Sequence, residues 1–325
     1  MRVRIGIDGF DRLGRRLLRT VVDRADPDFQ VVAVRDDDPA EALAERLRHD
    51  STHGGWSRQV EVVDEHLGVN GHSVRVLHDE HPHWVAADVE VVVVGPDAEP
   101  DGLLARGVRA VVLTMPGDAD ATVVVGLNDG DYDPIRHRVV TLPSAAATAT
   151  ALLLRPLDDA FGVVSAAATS IEGRTSQVAA PTDPHLLRDA AVNIIPSACD
   201  LGAEVAALLP GVEAQVGASA LRVPVVDTAL LELTVRVPAP VTVGQVRRVL
   251  RTAADGQAKG LLTTTTETTV SRDVLGAPES CRADLGALRV SGELVTVFGW
   301  YDPEIAQAHR TADLLGLVSR LLPRA

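Results

Sequence analysis

Arg2-Val3-Arg4-Ile5-Gly6-Ile7-Asp8-Gly9-Phe10-Asp11-Arg12-Leu13-Gly14-Arg15 holds a strand, a glycine turn and the start of a helix in fourteen residues. Arg2 to Ile7 passes from alternating to apolar character, as a strand does, and runs into Gly9. Arg12 to Asp23 has helical period, and Gln30 to Val34 is a second buried strand ending at Arg35-Asp36. Such a strand–turn–helix–strand unit, about 35 residues long, begins a doubly wound nucleotide-binding sheet.

Further apolar strands are expected at Val89–Val94, Ala110–Thr114, Thr122–Gly126 and Val139–Leu142. Continuous valine runs suit strands covered on both faces. Beyond about residue 145 the character changes. Gly162–Thr169, Ala218–Val223, Ala229–Val237 and Leu294–Phe298 read as strands of a largely antiparallel sheet, with Thr263–Thr269 as a strand or strand edge. Helices are expected at Ala147–Leu154, Leu201–Leu209, Val243–Ala254 and Pro303–Leu322. The fold class is therefore α/β: a Rossmann-type doubly wound sheet plus a mixed α+β catalytic-type domain. The boundaries are 1–144 for the first domain, 145–304 for the second and 305–325 for a C-terminal helix returning to the first.

The chain has 325 residues and a net charge of −14. That charge disfavours nucleic-acid and anionic-membrane partners. No uncharged apolar run reaches the roughly 18 residues of a membrane span, and the N-terminus lacks a signal-peptide pattern. Two cysteines, Cys199 and Cys281, are too few for a disulfide scaffold, so a reducing cytoplasm fits. Lys259 is the sole lysine and sits in a turn-like Gly256–Gly260, which argues against Schiff-base chemistry. His78-Asp79-Glu80-His81-Pro82-His83 has metal-like composition but reads as a solvated turn, and no metal site is expected.

Five stretches, in order, resemble glyceraldehyde-3-phosphate dehydrogenase: Arg4 to Arg15, Asp50-Ser51-Thr52-His53-Gly54, Asn193-Ile194-Ile195-Pro196-Ser197, Val270-Ser271-Arg272-Asp273 with Gly276, Pro278 and Ser280, and Trp300-Tyr301-Asp302. The resemblance implies a cysteine nucleophile paired with a histidine, NAD as hydride acceptor, and an oligomer. With Phe161-Gly162-Val163 as anchor, the nucleophile position falls on Ala145 and the histidine position on Glu172. A methyl group forms no thiohemiacetal.

The dinucleotide loop shows a parallel departure. Gly9 and Gly14 match, but the middle glycine position holds Asp11. A carboxylate about 4 Å from the pyrophosphate, at an effective dielectric near 20, costs roughly 4 kcal/mol. Pro303 falls where the family has an asparagine beside the nicotinamide, and Gln307 where it has a tyrosine. Gly9, Arg12 and Asp36 form a residual cofactor set, and Asp11 and Pro303 oppose it; the expectation is that NAD binding is lost and that no cofactor is used.

Polar chemistry remains elsewhere. Arg188 and Arg222 match phosphate-binding arginines of the family, Thr175 and Ser144 match partners in that region, and Arg174 adds a charge. Together they predict a site for a small anionic metabolite. Glu172 reads either as a general acid/base there or as an ion-pair partner of Arg174 or Arg188. Three functions stay open: a repurposed non-redox enzyme (isomerisation, elimination or cyclisation) in specialised metabolism, a pseudoenzyme acting as sensor or complex partner, and a residual NAD-dependent oxidoreductase. A homo-oligomer, dimer or tetramer, is expected in each case.

Overall fold

The computed structural model describes residues 2–79, 82–95, 99–174, 191–212 and 215–323. It divides into two compact units. One comprises Met1–Val125, Gly130–Leu142 and Ala308–Ala325, the other Gly126–Asp129 and Pro143–Gln307.

The first unit is built on β1 (Val3–Asp8), α1 (Arg12–Arg24), β2 (Phe29–Arg35), α2 (Ala40–Arg48), β3 (Val60–Val63), β4 (His66–Val69), β5 (His72–Leu77), β6 (Val91–Val94), α3 (Pro100–Ala105), β7 (Ala110–Leu113), β8 (Ala121–Thr122) and β9 (Val139–Thr141). The strand order is β3-β4-β5-β2-β1-β6-β7-β9-β8. It is parallel from β5 onward, and β3, β4 and β5 form an antiparallel edge. All four valines of β6 are buried, as a strand covered on both faces requires.

α1 buries Leu17, Leu18 and Val21 at helical spacing. Its two buried arginines each have a partner. Arg16 pairs with Asp50, and Arg19 donates to the Leu47 carbonyl while lying 5.7 Å from the Trp56 ring centre. Asp50 also accepts from the Thr52 and His53 backbone N–H groups at 2.8 and 2.9 Å. Burial opposes its ionisation, but the hydrogen bonds from His53 and Thr52, with the Arg16 charge, hold its carboxyl well below the usual range. The Asp50–Gly54 segment is thus a capped turn that braces α1.

The second unit contains α4 (Ala145–Phe161), β10 (Ser165–Arg174), β11 (Ile195–Ser197), α5 (Leu201–Leu208), β12 (Val216–Val226), β13 (Ala229–Arg236), α6 (Val243–Asp255), β14 (Leu262–Thr265), β15 (Cys281–Ser291), β16 (Leu294–Tyr301) and the start of α7 (Pro303–Leu321). The sheet order is β11-β12-β10-β13-β16-β15-β14. It is mixed: β10–β12 and β14–β15 are parallel and the other four pairings antiparallel. One face carries the helices. Its buried row includes Leu231, Leu233 and Val235 of β13 and Val295 and Val297 of β16. The period-2 alternation along β13 and β16 puts Leu230, Thr234, Phe298 and Trp300 on the other face, half-buried.

Some expected elements differ in extent. Thr122–Gly126 yields only the two-residue β8, because the chain turns after Thr122. The threonine run is a strand only to Thr265. α4 outruns its expected end at Leu154 and continues past Pro156, because Leu152, Leu153, Leu154 and Leu157 are all buried. Each such burial contributes about 1.5–3 kcal/mol, which outweighs the hydrogen bond the proline removes.

Candidate functional site

The turn between β1 and α1 is built by its glycines. Gly9 has φ +95°, on the side of the map that favours glycine. A methyl group at Gly14 would stand 2.4 Å from the Gly9 carbonyl oxygen, so this close approach of helix and strand needs glycine. Asp11 has φ −66°, which any side chain adopts, and its carboxylate accepts from the Gly14 N–H at 2.9 Å. It is the N-cap of α1. Arg12 opens the helix, and Arg15 donates to the Phe10 carbonyl at 2.8 Å. Asp36 follows β2, its carboxylate accepting from the Asp38 N–H at 3.0 Å. The turn, the helix N-terminus and the carboxylate after the second strand fit a dinucleotide in kind and order.

In the second unit, β-sheet register sets the chemistry. Arg222 of β12, Glu172 of β10, Ala229 of β13 and Tyr301 of β16 are successive cross-strand partners in one row. Glu172 is partly exposed at the end of the helix-covered face, beyond the buried Ala166, Ala168 and Ser170. Its Oε1 accepts from the Ser170 hydroxyl at 2.9 Å. Ser170 Oγ in turn lies 3.1 Å from the Tyr301 hydroxyl. Tyr301 is buried, and burial, reinforced by the Glu172 charge, pushes its hydroxyl well above the usual phenol range. The Arg222 Nε is buried without a hydrogen-bond partner among the described residues. A buried guanidinium N–H left in this state is suited to an anion supplied from outside the chain.

Ser144 and Ala145 begin α4. The Ser144 hydroxyl accepts from the Ala147 N–H at 3.2 Å, and its own N–H donates to Glu204 of α5 at 2.6 Å. Both polar groups of Ser144 are therefore engaged within the protein, and Glu204 sets a negative charge at this helix N-terminus. Ala145 presents a methyl group. Arg174 ends β10, paired in register with Val226. Thr175 and Arg188 lie outside the described residues, as do Glu80 and His81 of the histidine-rich stretch. His78, at the start of that stretch, contacts the Asp36 carbonyl and Glu65. Cys281 is fully buried, which raises its thiol far from any thiolate, with Glu279 adding to the effect.

Ser170, Tyr301, Ala229 and Glu204 were not picked out by the sequence reading. Ser170 had a signal: it lies two residues before Glu172 on a strand and so shares its face. Tyr301 lay in a quoted motif. The placement of Ala229 and Glu204 depends on register and helix packing, which no local pattern encodes.

These features define a two-unit protein with a dinucleotide-type sheet and a mixed-sheet partner unit. Comparison supplies the family. Residues 3–95 match the profile described as glyceraldehyde 3-phosphate dehydrogenase, NAD binding domain, and residues 144–303 match its C-terminal domain. The chain is 34% identical to glyceraldehyde-3-phosphate dehydrogenase 2 of Streptomyces arenae, covering 99% of this chain and 100% of the relative. It is 32% identical to the glyceraldehyde-3-phosphate dehydrogenase of Geobacillus stearothermophilus, over 98% and 99%. With glyceraldehyde-3-phosphate dehydrogenase 1 of Bacillus subtilis strain 168 the identity is 31%, over 98% and 99%. The chain belongs to the glyceraldehyde-3-phosphate dehydrogenase family.

Two expectations are corrected. The first is that no cofactor is used. The first unit matches an NAD-binding domain. The repulsion assigned to Asp11 assumed a carboxylate free to face the pyrophosphate, whereas this one is turned back onto the Gly14 N–H as a helix cap. Pro303 likewise has a local cause: it is the first residue of α7, where a missing N–H costs nothing, behind Asp302, which accepts from the Ile305 N–H at 2.9 Å. Gln307 donates to the Pro143 carbonyl at 3.1 Å. The second correction concerns the reaction. Loss of the dehydrogenase function, with repurposing to non-redox chemistry or a pseudoenzyme role, is overturned by full-length similarity to proteins named for that activity, which points to a related function. Among the described residues no helix is long and apolar enough to cross a membrane.

Proposed function

We propose that this chain is a nicotinamide-dependent protein of glyceraldehyde-3-phosphate dehydrogenase-like function, and a divergent one, with Ala145 and Glu172 at the positions where the resemblance expects cysteine and histidine. The observation that carries this reading is Glu172, the one carboxylate of the row, in register beside Arg222, whose buried Nε has no hydrogen-bond partner among the described residues. Gly9, Arg12 and Asp36 would hold the dinucleotide. When bound, that group supplies a hydride acceptor. Arg222, with Arg174, Thr175 and Arg188 as further candidates, binds a phosphate-bearing aldehyde such as glyceraldehyde 3-phosphate. Glu172 takes the hydroxyl proton of the hydrated aldehyde, so that no thiol adduct at position 145 is needed. Self-association is supported by the open sheet face, on which Ile171, Leu230 and Trp300 stand in one cross-strand row.

The test is turnover of glyceraldehyde 3-phosphate with NAD, followed by NADH absorbance, in the wild type and Glu172→Gln. The expected result is a loss of 10²–10⁴-fold in kcat. Equal turnover by both proteins would remove Glu172 from the mechanism, and absence of wild-type turnover would overturn the reaction assigned.

A further inference from the structure

We propose that Ser170 and Tyr301 are positioning residues for Glu172, forming a hydrogen-bond chain that fixes its carboxylate and keeps its donor order when the carboxylate takes up a proton. The inference rests on the reading of Glu172 as a proton carrier and extends it to two buried residues outside the substrate site.

The donors order the chain. A serine hydroxyl has one proton, and that of Ser170 is spent on Glu172 Oε1 at 2.9 Å. The contact of 3.1 Å between Ser170 and Tyr301 must then be donated by the tyrosine. Two hydroxyls, each 1% exposed, thus point in sequence at one carboxylate oxygen. The tyrosine keeps its proton, since burial and the nearby Glu172 charge both oppose ionisation. Once Glu172 takes a proton on Oε2, Oε1 still accepts from Ser170, and the order of donors is kept. No buried hydroxyl is left without a partner in either state, which is the condition for changing charge without side-chain movement.

Register explains why the chain exists. Glu172 and Tyr301 are not neighbours; Ala229 of β13 stands between them in the row. Its methyl group leaves the gap that the tyrosine hydroxyl and Ser170 bridge. The other side of Glu172 faces Arg222 on β12. Among the described residues, the groups that the row and the hydrogen bonds set beside Glu172 are a cation from β12, an uncharged methyl from β13, the Tyr301 hydroxyl from β16 and Ser170 on its own strand.

The test is isotope-edited infrared spectroscopy of the full chain with labelled glutamate, the Glu172 carboxylate band being assigned by its disappearance in Glu172→Gln. The band is expected to shift in Ser170→Ala, shift less in Tyr301→Phe, and stay in place in Ser170→Thr, which keeps the hydroxyl. A band unmoved in Ser170→Ala overturns the chain. With NAD and glyceraldehyde 3-phosphate, Ser170→Ala should lower kcat about tenfold, the worth of one hydrogen bond to a charged group, with KM unchanged and Ser170→Thr restoring the rate. A shifted band with full turnover in Glu172→Gln would leave the chain standing and remove the proton-carrier reading beneath it.

Discussion

At the turn after β1 and the end of β10 stand Asp11 and Glu172, where the resemblance leads one to expect glycine and histidine, and the two carboxylates have opposite fates in the fold. At the turn, the substituted residue is absorbed by the fold: Asp11 becomes the cap of α1, and the glycines that shape the turn remain. At the end of β10, the carboxylate stays chemically available: Glu172 is partly exposed, held by a buried serine and in register with Arg222, whose Nε has no hydrogen-bond partner among the described residues. A substitution in a motif is therefore weighed by what the side chain does in the folded chain. A carboxylate that closes a helix end alters little of the binding surface, whereas one held near the end of an interior strand alters the chemistry.

This contrast can be broken at several points. The largest expected effect is that of Glu172→Gln on turnover, already given, with NAD affinity unchanged. Next, Gly14→Val should abolish NAD binding and destabilise the first unit by about 2–4 kcal/mol, because its side chain would be driven into the Gly9 carbonyl. Calorimetric NAD titration and thermal unfolding check both halves. Arg222→Ala should raise KM for glyceraldehyde 3-phosphate by about tenfold to a hundredfold, the worth of one charge-assisted hydrogen bond, without touching NAD affinity.

A pH scan separates the units from another side. His309 is held near 4 by burial and by the Arg310 and Arg24 charges, below the usual 6.5. The unfolded chain then binds the extra proton between those values, so stability falls as pH drops from about 6.5 to 4. After allowance for solvent screening the loss is about 1–2 kcal/mol, read as a lower urea midpoint, and His309→Gln should flatten that limb. The smallest effect belongs to Asp11→Ala: about 1 kcal/mol of stability from the lost cap, with little change in NAD affinity. A large gain in NAD affinity there would mean that Asp11 opposes the cofactor after all.

Much of this was legible in the residues. The strand–glycine–helix opening, the valine strands and the mixed second domain follow from local period and composition, and five ordered motifs pointed to the family. What misled was treating Asp11 and Pro303 as cofactor-facing when each serves a helix start. Capping geometry is set by backbone angles that a motif letter does not carry. In the second unit Glu172 was visible but its support was not, since the row Arg222–Glu172–Ala229–Tyr301 joins residues far apart in the chain through strand register alone.

We propose that the first unit holds a dinucleotide despite Asp11. The direct measurement is calorimetric titration of the purified full chain with NAD. Saturable binding in the micromolar range is expected, lost in Gly14→Val and retained in Asp11→Ala. No heat of binding at millimolar NAD would contradict it.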